Sequence, residues 1–284
     1  MVRVKGCKMI VSIASGKGGT GKTTIAVNLA LSLENVQLLD CDVEEPNDHV
    51  LLRPMISDVE ETQVLVPKIV EERCQHCGDC ADFCAFNALF VAPEKVVFFP
   101  ELCHSCGGCL LVCPHQAIIE EAKRVGVIKR GRAQKVELVY GELDVGEPMA
   151  VPLIRAVKSQ IEEDRNVIVD SPPGTACPVV ASVYGSDFCV LVTEPTPFGL
   201  HDLQITVQVV RALEIPLGVV VNMAGIGDRK VYEYCATERI PILLEVPFNK
   251  RIAELYSRGI PFVEEMAEWK EKFRALWRKI AEDV

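Results

Sequence analysis

The chain has 284 residues, 49% of them hydrophobic and 25% charged, enough for one large globular domain carrying a smaller one. Its 30 basic and 40 acidic residues leave a formal net charge of −10, which argues against nucleic acid and anionic membranes as partners. No apolar run reaches the length of a membrane span, and MVRVKGCKMIVSIASG at the N-terminus has no signal-like apolar core, so a cytoplasmic location is expected.

The first predicted element is the buried-strand run MIVSIA at 9–14. SGKGGTGKTT follows at 15–24, and then IAVNLALSL with helical spacing. Strand, Gly-rich loop and helix form the context of a phosphate loop. Gly16, Gly18, Gly19 and Gly21, with Thr20 and Thr24 in the same run, let backbone N–H groups close around phosphate oxygens at a helix N-terminus. Lys22 can reach the β- and γ-phosphates of ATP, and the Thr23 hydroxyl suits Mg²⁺. QLLDCDVEEPN at 37–47 reads as a strand running into a loop, with Asp40 and Asp42 at the junction.

Two cysteine runs come next, CQHCGDCADFC at 74–84 and CHSCGGCLLVC at 103–113. In a reducing compartment, eight closely spaced thiols point to metal or redox chemistry and away from disulfides. CxxC pairs also suit zinc, which remains an alternative here. AKRVGVIKRGRAQK at 122–135 carries six basic residues and no acidic one. With QKVELVYG it reads as a β-hairpin with a solvated face, the alternative being a dock for an acidic partner or anionic cofactor. NVIVDSPPG at 166–174 is a second buried strand ending in Asp170. FCVLVTEPT, LGVVVNMAG and PILLEVPF supply three more. Cys7, Cys41 and Cys189 lie in or beside strands and are expected in the core, and Cys177 is expected as a small buried hydrophobe. The final run, 261–284, is helical. Phe273, Leu276, Trp277 and Ile280 share one face and are expected to dock on the sheet.

The second lysine of the loop, Lys17, makes SGKGGTGKTT resemble the deviant Walker A ATPases, the group of MinD, ParA, Mrp/ApbC and the nitrogenase iron protein. The resemblance covers roughly residues 8–55 and 140–284. It implies an ATP-sandwich dimer, with itself or a paralogous ATPase, in which Lys17 reaches the partner's nucleotide. It implies that Asp42 orients the attacking water, that Asp40 lies near the metal, and that Asp170 holds Mg²⁺ through water. Asn222 matches the residue at the adenine edge, and Pro247 and Phe248 match the loop on the adenine side. The fold implied is α/β, a doubly wound and mostly parallel sheet formed by residues 1–64 and 122–284.

The two cysteine runs resemble the bacterial ferredoxin pattern for two [4Fe–4S] clusters, in which the fourth cysteine of each run ligates the other cluster. That resemblance assigns Cys74, Cys77, Cys80 and Cys113 to one cluster, and Cys103, Cys106, Cys109 and Cys84 to the other. The second run ends in Cys113–Pro114 as the pattern asks, whereas Ala85 follows Cys84. A small α+β ferredoxin-like domain is therefore expected as an insert over 65–121. MinD-like ATPases with such an insert imply ATP hydrolysis coupled to iron–sulfur or other metallocluster assembly and transfer. The partner implied is a redox or metallocluster acceptor protein. The alternative is an ATP-gated electron donor, and a positioning ATPase is a third reading. Cys177 matches a cluster-ligating position of the nitrogenase iron protein, but no cysteine lies between Cys113 and Cys177 to pair with it. The C-terminal CxxC of Mrp/ApbC carriers is absent.

Overall fold

A computed structural model describes residues 9–283; Cys7 lies outside them. The chain divides into two compact units. One holds the described residues of Met1–Val59, Ile128–Glu142 and Ile154–Val284. The other holds Glu60–Val127 and Leu143–Leu153.

The first unit is a layered α/β structure. Its strands are β1 (Met9–Ala14), β2 (Val36–Asp40), the start of β3 (Met55–Ile69), the end of β6 (Ile118–Ala133), β7 (Val136–Leu143), β8 (Asn166–Asp170), β9 (Phe188–Thr193), β10 (Leu217–Ala224) and β11 (Ile242–Pro247). They form one sheet in the order β11-β10-β9-β1-β8-β2-β7-β6-β3. From β11 through β7 the neighbouring strands are parallel. The central strands are mostly apolar, with few buried polar residues such as Ser12 and Gln37, because both of their faces are covered.

Helices cover both faces. On one side α1 (Lys22–Ser32) places Ile25 and Leu29 in a core shared with α11 (Glu268–Asp283). On the other, α6 (Cys177–Val183), α7 (Pro197–Ala212) and α8 (Lys230–Thr237) bury Val179, Leu203, Val207 and Val231 against β9 and β10. The short α2 (Asp48–Leu52) follows β2, α5 (Ala150–Lys158) precedes β8, and α9 (Lys250–Ser257) and α10 (Phe262–Glu265) precede α11. The apolar stripe of α11 is fully used: Trp269, Phe273, Leu276, Trp277 and Ile280 are buried. It packs on α1 as well as on β11, so the helix docks on a helix layer and only partly on the sheet. Phe262 meets Trp269 edge-on at 5.4 Å, a favourable quadrupole geometry. Among the described residues, no helix is long and apolar enough to cross a membrane.

The second unit is built as a repeat with a constant offset of 29 residues, the step from Cys74 to Cys103. A 3₁₀ turn (Glu71–Arg73) and α3 (Asp79–Phe83) recur as a 3₁₀ turn (Pro100–Leu102) and α4 (Gly108–Val112). Left-handed residues recur at the same step: His76 and Ser105, Gly78 and Gly107, Asn87 and Gln116. These positive-φ positions turn the backbone around each run, and only the glycines adopt them without strain. β4 (Leu89–Ala92) and β5 (Lys95–Phe98) form a two-stranded antiparallel sheet. β3 ends in this unit and β6 begins in it.

Candidate functional site

The loop between β1 and α1 owes its shape to three local features. Gly19 and Gly21 adopt φ of +79° and +91°, where a side chain is strained. A Cβ on Gly16 would lie 2.6 Å from Asp202, and one on Gly21 would lie 2.4 Å from the Asn222 amide. Ser15 Oγ donates to Lys17 O at 2.7 Å and fixes the turn. Gly18 and Gly19 face solvent, whereas Thr20 and Lys22 are buried. Thr24 sits inside the first turn of α1, and its carbonyl accepts from Asn28 Nδ2 at 2.6 Å. Lys17, half-exposed, lies 3.5 Å from Glu194.

Parallel pairing puts Asp40 opposite Asp170 at the C-terminal ends of β2 and β8. Thr23 Oγ1 donates to Asp170 Oδ2 at 2.7 Å, joining the loop to that strand end. Asp40 accepts backbone N–H bonds from Asp42, Asn47 and Asp48 at 3.0, 2.9 and 3.1 Å. The structure adds a residue that the sequence reading missed. Asp48, the first residue of α2, turns inward, and one oxygen from each of Asp40, Asp48 and Asp170 lies within 4.8 Å of the others. In PNDHVLL an acid at the start of a short helix carries no mark of an inward-facing ligand.

Burial raises the pKa of all three carboxyls, and their mutual repulsion raises Asp40 and Asp48 further. The nearby Lys22 ammonium pulls Asp170 back. Asp42 is half-buried. Burial pushes its carboxyl up to about 6, against the opposing pull of Lys22. The buried oxygens Asp170 Oδ1, Asp48 Oδ1, Asp48 Oδ2, Thr20 Oγ1 and Ser171 Oγ have no hydrogen-bond partner. Hard oxygen donors in this state fit a Mg²⁺ ion and nucleotide phosphates.

The residues expected around adenine divide in two. Asn222 Nδ2 donates to Thr20 O at 2.8 Å, so it braces the phosphate loop itself. Pro247 ends β11, and Phe248 is exposed beyond it, its N–H bonded to Ala224 O at 3.1 Å.

In the second unit the eight thiols sort into two groups. Cys74, Cys77, Cys80 and Cys113 line one cavity, with His76 and His115. Cys84, Cys103, Cys106 and Cys109 line another, of about 170 Å³, with Phe83 and Phe86. The fourth cysteine of each run thus crosses to the other group. The same grouping appears electrostatically: burial raises the Cys80 thiol, and Cys113 and Cys77 add to it. Burial pushes Cys109 up to about 11, with Cys103 and Cys106 adding. Backbone N–H groups of Ala88, Ser105 and Ala117 point at the sulfurs of Cys84, Cys103 and Cys113 at 3.3, 3.4 and 3.3 Å. Such donors suit thiolate charge. Among the described residues, no three of these sulfurs lie mutually within 4.8 Å.

Other expectations resolve individually. Cys41 and Cys189 are in the core, and Cys235 is buried too. Cys177 is exposed in the first turn of α6, which corrects the expectation of a buried small hydrophobe; the preceding loop SPPGTA leads it out to the surface. The cations of 122–135 are largely spent internally. Lys123 pairs with Glu147, Arg124 with Glu61 and Asp144, Lys129 with Glu142, Arg130 with Glu162 and Lys135 with Glu34. This is the hairpin face with solvated pairs.

A glycine loop entering a helix that begins with a buried Lys22 and with Thr23, and carboxylates at adjoining strand ends, define a P-loop ATPase. A profile of the CobQ/CobB/MinD/ParA nucleotide binding domain matches residues 11–262. The chain belongs to that family. It is 32% identical over 282 residues to an uncharacterized protein of Methanocaldococcus jannaschii, covering 92% of this chain and 97% of that one. It is 25% identical over 295 residues to the iron-sulfur cluster carrier protein of the same organism, covering 96% and 84%. Its fold resembles that of the septum site-determining protein MinD complexed with Mg-ADP from Pyrococcus horikoshii. There the TM-score is 0.58 over 96% of this chain and 95% of that one, at 20% identity.

Proposed function

We propose that this chain is an ATP-hydrolysing iron–sulfur protein that acts, as an ATP-dependent dimer, in the assembly or transfer of iron–sulfur or related metal clusters. One observation carries the reading: two reciprocal sets of four thiols stand in the second unit of a chain whose first unit is an ATPase. Cys74, Cys77, Cys80 and Cys113 would hold one [4Fe–4S] cluster, and Cys84, Cys103, Cys106 and Cys109 the other. The clusters supply one-electron transfer. Zinc is the alternative metal for CxxC thiols, but the crossing of Cys84 and Cys113 between the two sets is the pairing of the two-cluster ferredoxin run.

In the ATPase unit, Gly16 to Thr24 cradle the phosphates, and Lys22 neutralises charge on the transferring group. Thr23, Asp40 and Asp170 would hold Mg²⁺, which neutralises phosphate charge. Asp42 orients the attacking water, with a carboxyl that burial brings near its working pH. Lys17 acts across the dimer, as an arginine finger does. Asn222, Pro247 and Phe248 form the adenine side. The relatives that are iron-sulfur cluster carriers support assembly or transfer. A second reading, ATP-gated electron donation to a redox partner, is favoured by the thiol pattern outside the second unit. Among the described residues outside that unit, Cys41, Cys189 and Cys235 are buried and only Cys177 is exposed, so they offer no carrier pair within the chain. A positioning ATPase held at membranes is disfavoured, because the C-terminal helix spends its apolar face in the core.

The test is iron and acid-labile sulfide per chain on anaerobically purified protein, with EPR after reduction, with and without MgATP. About eight irons per chain are expected, with a signal that MgATP changes. Zinc in their place would sink the reading. Passage of a cluster to an apo-protein then selects transfer, and ATP-dependent reduction of a partner by retained clusters selects electron donation.

A further inference from the structure

Asp48 is a buried acid without a partner. Its residue is fully buried, and neither carboxylate oxygen accepts a hydrogen bond. Its two carboxylate neighbours are better provided for. Asp40 accepts three backbone N–H bonds, and Asp170 accepts the Thr23 hydroxyl. Asp170 also keeps one oxygen, Oδ1, without a partner. Two of the three carboxyls thus present buried oxygens that accept no hydrogen bond before any nucleotide arrives.

The donors define what would satisfy these oxygens. Carboxylates without thiols or imidazoles suit hard cations such as Mg²⁺ and Mn²⁺. Mg²⁺ holds oxygens at about 2.1 Å, so ligands on opposite sides of the ion stand about 4.2 Å apart. A mutual spread of 4.8 Å accommodates one such ion with direct and water-bridged carboxylates. Where phosphates provide much of the coordination, Mg²⁺ usually needs only one or two carboxylates. A third, fully buried one supplies charge that the phosphates would otherwise bring.

We infer that Asp48, with Asp40 and Asp170, gives this chain a divalent-cation site that fills before nucleotide binds. The inference deepens the proposed ATP site and rests on that reading for its place in the reaction. Because the Asn47 and Asp48 N–H groups both donate to Asp40, an ion here also fastens the start of α2 to the ends of β2 and β8.

The experiment uses the anaerobic, cluster-loaded chain stripped of nucleotide. Mn²⁺ is titrated in and the free-ion EPR signal followed, with melting temperature recorded in parallel. One Mn²⁺ per chain is expected, displaced by Mg²⁺ and raising the melting temperature. Asp48→Asn keeps the side-chain shape and removes the charge. It should weaken binding about tenfold to a hundredfold and lose most of the melting shift. Should that variant not fold, the wild-type titration and its melting shift still decide. Mn²⁺ binding only after ATP is added overturns the inference and leaves the ATP site intact. Equal Mn²⁺ affinity in wild type and Asp48→Asn overturns it as well. Mn²⁺ bound as expected by a chain that never binds ATP upholds the cation site and removes the nucleotide reading.

Discussion

Thr23 donates its hydroxyl to Asp170 across 2.7 Å, so the first turn of α1 and the end of β8 move as one piece. Replacing Thr23 by Val removes the donor and leaves a buried carboxylate oxygen unpaired. MgATP turnover is expected to fall on the order of a hundredfold or more, as when one preorganised charge-stabilising group is lost. The empty protein should lose about 1–3 kcal/mol of stability. Steady-state phosphate release and denaturant unfolding measure the two effects, and unchanged turnover would remove Thr23 from the reaction.

Lys17 stands beside Glu194 at the lip of the loop, half in solvent. It makes no contact that the fold needs. Lys17→Ala should therefore abolish hydrolysis while ATP still binds and the iron content stays at the wild-type level. Retained turnover in this variant sinks the proposal of a lysine acting across a dimer. Asp42→Ala is expected to behave alike.

Cys113 follows the second run in sequence but lines the cavity of the first. Cys113→Ser should remove about half the iron and alter the same EPR signal as Cys77→Ser. Cys84→Ser should instead match Cys106→Ser. Nucleotide affinity should hold in all four. Loss of all iron in any one of them would show that the two sites fold as a single unit.

Lys158, half-buried, donates to the carbonyls of Ala181, Ser182 and Tyr184 at 3.3, 2.6 and 2.6 Å, at the C-terminal end of α6. Burial lowers its pKa from the ordinary 10.5. The folded chain then binds fewer protons than the unfolded chain between the lowered value and 10.5. Across that window the residue's contribution to stability rises with pH. Lys158→Met should destabilise by about 1–3 kcal/mol at neutral pH, by leaving carbonyls without donors. The gap between wild type and variant should widen as pH climbs towards 10.5. Chemical denaturation at pH 7, 8 and 9 reads it, and a narrowing gap would reverse the assignment.

Much of this molecule was legible in its residues, for identifiable reasons. The strands 9–14, 166–170, 188–193 and 217–224 are doubly covered, so they are mostly apolar and stand out. The phosphate loop announces itself because only glycine tolerates its backbone. Three things were hidden. The long strand β3 alternates charge with apolar residues, as in MISDVEETQVLV, and so resembles a surface segment. Asp48 is one acid among several in EEPND, and only the fold turns it inward. Cys177 has the composition of a core cysteine, yet the Pro-Pro-Gly turn before it carries it to the surface.

The crossing of Cys84 and Cys113 sets an order on the making of the protein. Synthesis delivers Cys74, Cys77, Cys80 and Cys84 together, but the first three stay an incomplete set until the chain has grown another 29 residues to Cys113. Cys84 likewise waits for Cys103, Cys106 and Cys109 of the second run. Neither half of the repeat is a finished binding unit alone, so the gene segment encoding it cannot be halved, and a ribosome that stalls between the two runs releases a chain with no complete set of thiols.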